Sequence, residues 1–447
     1  MSATIHGMNA AAQTEAHSER EILRRITWRL MPLLFLCYII AYVDRINVGF
    51  AKLQLREALG VDEQVWGSVY GLGAGLFFFG YFLFEVPSNL VLQRVGARVW
   101  IARIMIVWGL ISACMLFMSS KSMFYVMRFL LGAAEAGFFP GVILYLTYWF
   151  PNRERARAIA LFAMGGVIAG IIGSPLSGAI LGMNGWKGLA GWQWLFLIEG
   201  IPAVLVGFYV LIKLPNGPHE ARWLADGDKQ WLKARLDQEI NDSDEPTRNR
   251  LSEAFKSGRV WMLCLMYFLL NAGGYGYEMW LPSIIKSFSG TSDVVVGWLN
   301  AIPYLAAAAG MFLVSRHSDR TGERRWHVAA GALCSAIGFA LSSYFQNPFL
   351  AMAALTMAFV GLKAALGPFW ALGTAFLSGT AAAGGIALIN SVGNLGGFAG
   401  PAIVGIVKDR TNSSVAALAL LGGALLLMGL LSLTIRTKPM RSAQRKS

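Results

Sequence analysis

From residue 30 onward the sequence is a succession of about twelve apolar runs, each close to the ~20 residues that a helix needs to cross the hydrocarbon of a bilayer. Lipid offers no partner to a free backbone N–H or C=O, so a chain built of such runs can only stack helices or close a barrel, and runs of this length select helices. With 56% hydrophobic and 14% charged residues among 447, the chain is far too apolar for a water-soluble protein of its size. The expectation is an all-α membrane protein of twelve transmembrane helices in two pseudo-symmetric six-helix bundles. Its parts are a tail at 1–29, a first bundle at 30–214, a linker at 215–259, a second bundle at 260–435 and a tail at 436–447.

The formal charge of +13 raises nucleic acid as a partner, but the basic residues sit in short loops between apolar runs and form no single patch. Roughly 28 of the Lys and Arg residues fall on the side shared by the tails and the even-numbered loops, and roughly 7 on the other. That bias predicts a multi-pass protein of a cell membrane with both termini in the cytoplasm and no nucleic-acid partner. The basic cluster Arg20, Arg24, Arg25 and Arg29 precedes an apolar run too long for a signal-peptide core. Cys37, Cys114, Cys264 and Cys334 all lie in apolar runs, where a thiol behaves as a small hydrophobe, and the five histidines lie in tails, loops or span edges. The spacing gives no disulfide framework, no metal site and no cofactor motif.

Against this background Asp44 and Arg45 stand out, side by side in the apolar run Leu30 to Phe50. Charges in hydrocarbon cost several kcal/mol, about 2.5–3.5 even on the gentler insertion scales, and persist where they face water, a partner charge or a ligand. Neighbouring helical positions point about 100° apart, so one of the two can face a ligand while the other faces a helix. Arg128 and Glu135 are seven apart in the fourth run, 123–149, on one face two turns apart. A carboxylate in a low-dielectric cavity is pushed toward its neutral form and pulled back by a nearby arginine, which suits a group that loads and releases protons. For each of these residues a helix-to-helix salt bridge is the alternative.

Other helical faces are consistent with a polar, aromatic-lined cavity. Tyr70, Phe77 and Tyr81 recur at helical spacing, as do Asn271, Tyr275 and Glu278, then Lys363, Gly367, Trp370 and Thr374, then Asn390 and Asn394 in a glycine-rich run. Glu278 and Lys363 either neutralise each other or supply a second substrate anchor. Glu85 and Glu199 lie near span ends, in the expected position for gating or loop contacts.

The halves repeat. Gly96-Ala-Arg98-Val-Trp100 and Gly322-Glu-Arg324-Arg-Trp326 follow the second and eighth runs at an offset of 226 (322 − 96), and the same offset joins Pro175 to Pro401 and Gly170 to Gly396. Such duplication is the architecture of a transporter with its site between the halves. Ser318 to Arg325, with Asp319, Arg320, Gly322 and Arg324, resembles the loop motif of the major facilitator superfamily. Its first-half counterpart keeps Arg94, Gly96 and Arg98 but has Gln93 where many members carry aspartate. The stretches YVDRINVGFAK (Tyr42 to Lys52), FEVPSNL (Phe84 to Leu90), RFLLGAAEAGFFPG (Arg128 to Gly141), WLPSIIK (Trp280 to Lys286) and Gly367 to Pro401 are similar to the anion:cation symporter family, in particular to bacterial tartrate, phthalate and hydroxyphenylacetate type permeases.

That resemblance implies a proton symporter importing a small organic anion, with Asp44 and Glu135 as proton-coupling carboxylates. Arg45 would bind the substrate carboxylate, and Arg128 would anchor Glu135 or read the anion. Tyr81, Tyr275, Lys363, Trp370, Asn390 and Asn394 would complete the substrate site, and Arg94, Gly96, Arg98, Asp319, Arg320, Gly322 and Arg324 the gating loops. It also implies a bacterial inner membrane, a monomer, no cofactor and no enzymatic activity. A proton-coupled efflux antiporter and a non-transporting anion sensor are the alternatives. Arginines facing the cavity weigh against the first, and the small size of the connection from Leu214 to Arg259 weighs against the second.

Overall fold

The computed structural model describes residues 2–241, 256–376 and 381–435. Part of the expected linker and the whole tail at 436–447 therefore lie outside the described residues, as does the side chain of Thr374. Among the described residues every regular element is a helix. In the first half these are α1 (Ser2–Ile46), α2 (Val48–Ala58), α3 (Glu63–Val95), α4 (Ala97–Cys114), α5 (Lys121–Glu135), α6 (Phe138–Thr147), α7 (Asn152–Leu181) and α8 (Gly191–Lys213). After a surface helix, α9 (Asp226–Asn241), the second half holds α10 (Gly258–Ser289), α11 (Asp293–Thr321), α12 (Arg325–Tyr344), α13 (Pro348–Phe376), α14 (Ala381–Thr411) and α15 (Ser414–Thr434).

Eleven helical stretches among the described residues are long and apolar enough to cross a membrane, against the twelve expected. The difference is α10, whose 32 residues suffice in length but whose middle carries Asn271, Tyr275, Tyr277 and Glu278. These groups turn inward, which lowers the apolarity of the helix without exposing polar atoms to lipid. Glu278 and Tyr277 are buried. Large apolar side chains face outward instead, Ile212 at 73% and Leu205 at 63% exposed among them, as a lipid-contacting surface requires.

Two of the expected spans are broken where their charges lie. The run 30–50 divides after Ile46, one residue past Arg45, and α2 resumes at Val48. The fourth run divides more sharply: α5 ends at Glu135, Ala136 turns extended (ψ 131°), and Gly137 takes φ +86° before α6 begins. A side chain at Gly137 would be strained by that φ and would also strike Ser88 Oγ. Backbone irregularity at membrane depth is tolerated where it is buried in protein or lines a cavity.

Within the first half α1 packs on α7, α3 on α5 and α4 on α8; within the second α10 packs on α14 and α15, and α12 on α13 and α15. The halves are joined by α3 with α14, α7 with α11, and α2 with α10. Glycines make these close approaches possible. A Cβ on Gly405 of α14 would overlap the carbonyl of Gly67 on α3, and one on Gly297 of α11 would come within 2.6 Å of the carbonyl of Ser174 on α7. These two glycine approaches lie toward the helix ends far from the N-terminus. There Asp409 accepts from Gly67 N (2.9 Å) and Ser68 N (2.6 Å), Tyr70 Oη donates to Met279 O (2.7 Å), and Gln54 Nε2 donates to Asp293 Oδ2 (2.8 Å).

Candidate functional site

Between the halves, on the N-terminal side of that seal, lies a cavity of about 70 Å³ lined by Tyr38, Arg45, Phe77, Phe78, Tyr81, Phe139, Tyr267, Tyr275, Asn390 and Asn394. Its walls are mainly aromatic, and among the described residues lining it Arg45 carries the one formal charge. The break after Ile46 places Arg45 at the end of α1, where the residue is 8% exposed. Nη2 pairs with Glu135 Oε1, and Nη1 donates to Tyr275 Oη at 3.2 Å. The ring centroids of Phe77 and Tyr81 lie 5.5 and 5.6 Å from its Cζ, within cation–π range.

Asp44 turns the other way, as adjacent helical positions must. Its Oδ1 accepts from Ser112 Oγ of α4 and from Asn47 Nδ2 (3.1 Å), and its Oδ2 is buried without a hydrogen-bond partner among the described residues. It lies behind the cavity wall, inside the first half. Glu135 is fully buried and reaches the cavity through Arg45. Arg128 is buried too, but it makes no ion pair with Glu135. Its Nη2 donates to Ala74 O at a long 3.5 Å, its Cζ lies 5.0 Å from the Phe77 ring centroid, and Nε and Nη1 have no hydrogen-bond partner among the described residues. The face shared by Arg128 and Glu135 is thus occupied by an arginine from another helix.

In the second half Lys363 Nζ lies 2.8 Å from Glu278 Oε1. Tyr42 of α1 joins them, donating to both carboxylate oxygens of Glu278 at 3.0 Å and accepting from Lys363 Nζ at 3.2 Å. These three residues form a layer next to the cavity wall. Trp370 stands further back, its ring 4.9 Å from that of Tyr267. Asn390 on the wall donates to Glu85 Oε1 (2.8 Å), and Ser391 Oγ donates to Oε2 (2.9 Å). Glu85 therefore reaches across to α14. Glu199 accepts from Ser177 Oγ (2.7 Å) inside the first half.

The loop-motif residues lie apart from the cavity. Gly96 (φ +89°) and Gly322 (φ +70°) provide the left-handed turns. Arg324 Nη1 binds Asp319 Oδ1 (2.7 Å) and Ser318 Oγ (2.9 Å), while Arg320 and Arg94 are exposed. Where Gln93 replaces the aspartate of the motif, Arg98 instead faces Glu220 at 3.4 Å, in the turn after α8. Asn216 donates to both oxygens of that carboxylate, and these bonds hold it below the usual carboxylate range, with Arg98 adding to the effect.

Sequence reasoning missed Tyr38, Phe78, Phe139 and Tyr267 on the wall and the bridging role of Tyr42. Tyr38, Tyr42 and Arg45 stand at i, i+4 and i+7, a helical stripe that could have been read by the same rule applied to the other spans. Phe139 follows the break at Gly137, where the helical period is interrupted.

The family model of the Major Facilitator Superfamily matches residues 34–401 and 284–446. A protein of Agrobacterium vitis named for tartrate transport is 46% identical over 426 residues, 94% of this chain and 96% of its own length. A quinolone resistance transporter of Acinetobacter baumannii is 43% identical over 400 residues, covering 90% and 91% of the two chains. The crystal structure of a D-xylose–proton symporter superposes with a TM-score of 0.71 at 17% identity, covering 91% of this chain and 97% of that one, which establishes the shared fold.

Proposed function

This chain belongs to the Major Facilitator Superfamily, and from that membership and the arginine on its cavity wall we propose that it imports a small organic anion with protons, exposing one site to each side of the membrane in turn. It is a multi-pass membrane transporter and not an enzyme. The observation that carries the substrate class is Arg45, a formal charge on an aromatic wall, tied to a buried carboxylate. A guanidinium fork suits a carboxylate, and Glu135 holds one arm of that fork while Tyr275 accepts from the other. When Glu135 takes a proton it releases the fork to the substrate's carboxylate, so proton and anion are loaded together. Asp44, behind the wall, is the second proton-coupling carboxylate, and Arg128 is within electrostatic reach of both.

Coupling to protons makes electrical sense. Moving one negative charge into a negative interior costs about 2.3 kcal/mol per 100 mV, so a monoanion entering with two protons moves with the field. The relative named for tartrate supports a hydroxy-acid substrate. The quinolone resistance relative favours a second reading, proton-coupled efflux. The basic bias toward the terminal side supports cytoplasmic termini, and the bacterial sources of the relatives support a bacterial inner membrane.

The test is uptake of labelled organic acids into proteoliposomes, with and without an inward proton gradient, for wild type and Glu135→Gln. The expected outcome is one acid that accumulates with the gradient in wild type, while Glu135→Gln loses accumulation and keeps substrate exchange. Accumulation indifferent to the gradient overturns proton symport and moves efflux ahead.

A further inference from the structure

The ion pair Glu278–Lys363 is a counterpart of Arg45–Glu135 with its charges exchanged. Tyr42 and Arg45 on α1 and Tyr275 and Glu278 on α10 are separated by one offset (275 − 42 and 278 − 45 are both 233). Glu135 on α5 and Lys363 on α13 share another with the prolines that follow them (363 − 135 and 368 − 140 are both 228). Each half thus places a charge on its first-position helix and the opposite charge on its fourth. In the first half the arginine is on α1 and the carboxylate on α5; in the second the carboxylate is on α10 and the lysine on α13.

The tyrosines cross over. Tyr42 of the first half bonds to Glu278 of the second, and Tyr275 of the second accepts from Arg45 of the first. Both cations stand around one ring, with Arg45 Cζ 5.9 Å and Lys363 Nζ 5.7 Å from the centroid of Tyr42. Among the described residues Tyr42 from α1, Lys363 from α13 and Tyr304 from α11 face Glu278, with Tyr277 beside it on α10. A buried ion pair is poor at adding stability compared with apolar packing, so two such pairs astride the interface between halves point to a use.

We propose that Lys363 and Glu278 form a second anion-and-proton centre, and that the substrate carries two carboxylates, one for Arg45 and one for Lys363. This rests on the organic-anion reading above. In each centre the protein's carboxylate gains a proton and becomes neutral, its cation keeps charge and proton, and the cation's ionic partner becomes a carboxylate of the substrate. Tyr42, bonded to Glu278 and Lys363 and three residues from Arg45, turns its hydroxyl from the protein's carboxylate to the incoming one. Two anionic groups thus bring two protons through these centres, so a dianion is not opposed by a negative interior.

The test uses tartrate, succinate and glutarate, each with its monoamide, competing for exchange in proteoliposomes. The readout is the ratio of monoamide to diacid apparent KM. Wild type is expected to prefer a diacid over its monoamide by about ten- to hundredfold, the value of one charge-assisted hydrogen-bonded contact. The double variant Glu278→Gln with Lys363→Gln, which leaves neither charge buried alone, is expected to bring the ratio near one, and Lys363→Arg to restore part of it. A preference that survives the double variant overturns the second centre, as does wild-type exchange of both acids without preference. If wild type exchanges none of these acids or monoamides while exchanging a non-anionic solute, the organic-anion reading itself fails and takes this proposal with it.

Discussion

A guanidinium presents its donors in a fixed planar fork, and Arg45 uses one nitrogen on Glu135 and the other on Tyr275, thereby touching both halves of the molecule. Lysine would place a single ammonium on a flexible stem and could not hold both partners in one geometry. Arg45→Lys is therefore expected to weaken substrate binding by about ten- to hundredfold while leaving a positive charge in place. Exchange KM in proteoliposomes measures this, and an unchanged KM would remove Arg45 from the binding site. At this scale the sequence was informative because charged residues in apolar runs are few and conspicuous. Tyr38 and Tyr267 were not conspicuous: a tyrosine in a span is equally at home at an interface, and only the packing of α1 against α7 and of α10 against α14 tells which way its hydroxyl points.

Among the elements, the joints between helices are held by local polar clamps that the loop motifs only partly foretell. Glu220 binds Asn216 and faces Arg98, tying the turn after α8 to the start of α4. Because its carboxyl is held below the usual range, its contribution is present above the unfolded value of about 4.3 and is lost as pH falls through the lowered folded value. Glu220→Gln should therefore lower the melting temperature at neutral pH, and the gap to wild type should close as pH falls through the lowered folded value; a gap that persists in acid would show a packing role instead. The side chain is partly exposed, so the effect is small. The helices themselves were legible because run length and apolarity follow directly from bilayer thickness. The break at Ala136 and Gly137 was not, because glycine in a span more often serves close packing, as at Gly132, where a Cβ would strike the Phe77 carbonyl. The seventh span escaped the apolarity expected of it for the same reason that it matters: its polar groups line the interface between halves.

For the whole molecule, alternating access requires that the halves part on one side as they meet on the other, so the closed side must be held by contacts that a few kcal/mol can undo. The seal described above fits that requirement. It combines glycine-to-carbonyl approaches between α3 and α14 with a handful of polar contacts, among them Lys52 Nζ, which donates to Ser283 Oγ at 3.0 Å and stands 3.6 Å from the Trp280 ring centroid. Asp409 is an anionic member, as Asp293 is, and it accepts from two backbone N–H groups near the start of α3. Hydrogen bonds to a charged acceptor are worth about 1.5–3 kcal/mol each when buried and less at a half-buried site, so removing this carboxylate should shift the balance between the two facing states by about tenfold. Asp409→Ala is expected to populate the state open on that side, read as a longer component in the distance distribution between spin labels at Gln64 and Arg410, the far ends of α3 and α14. Substrate exchange should then respond in a diagnostic way: a carrier limited by opening this seal exchanges faster in the variant, and one limited by closing it exchanges more slowly. An unchanged distance distribution would mean that the glycine approaches and the remaining polar contacts hold the halves together, and that Asp409 only braces the start of α3.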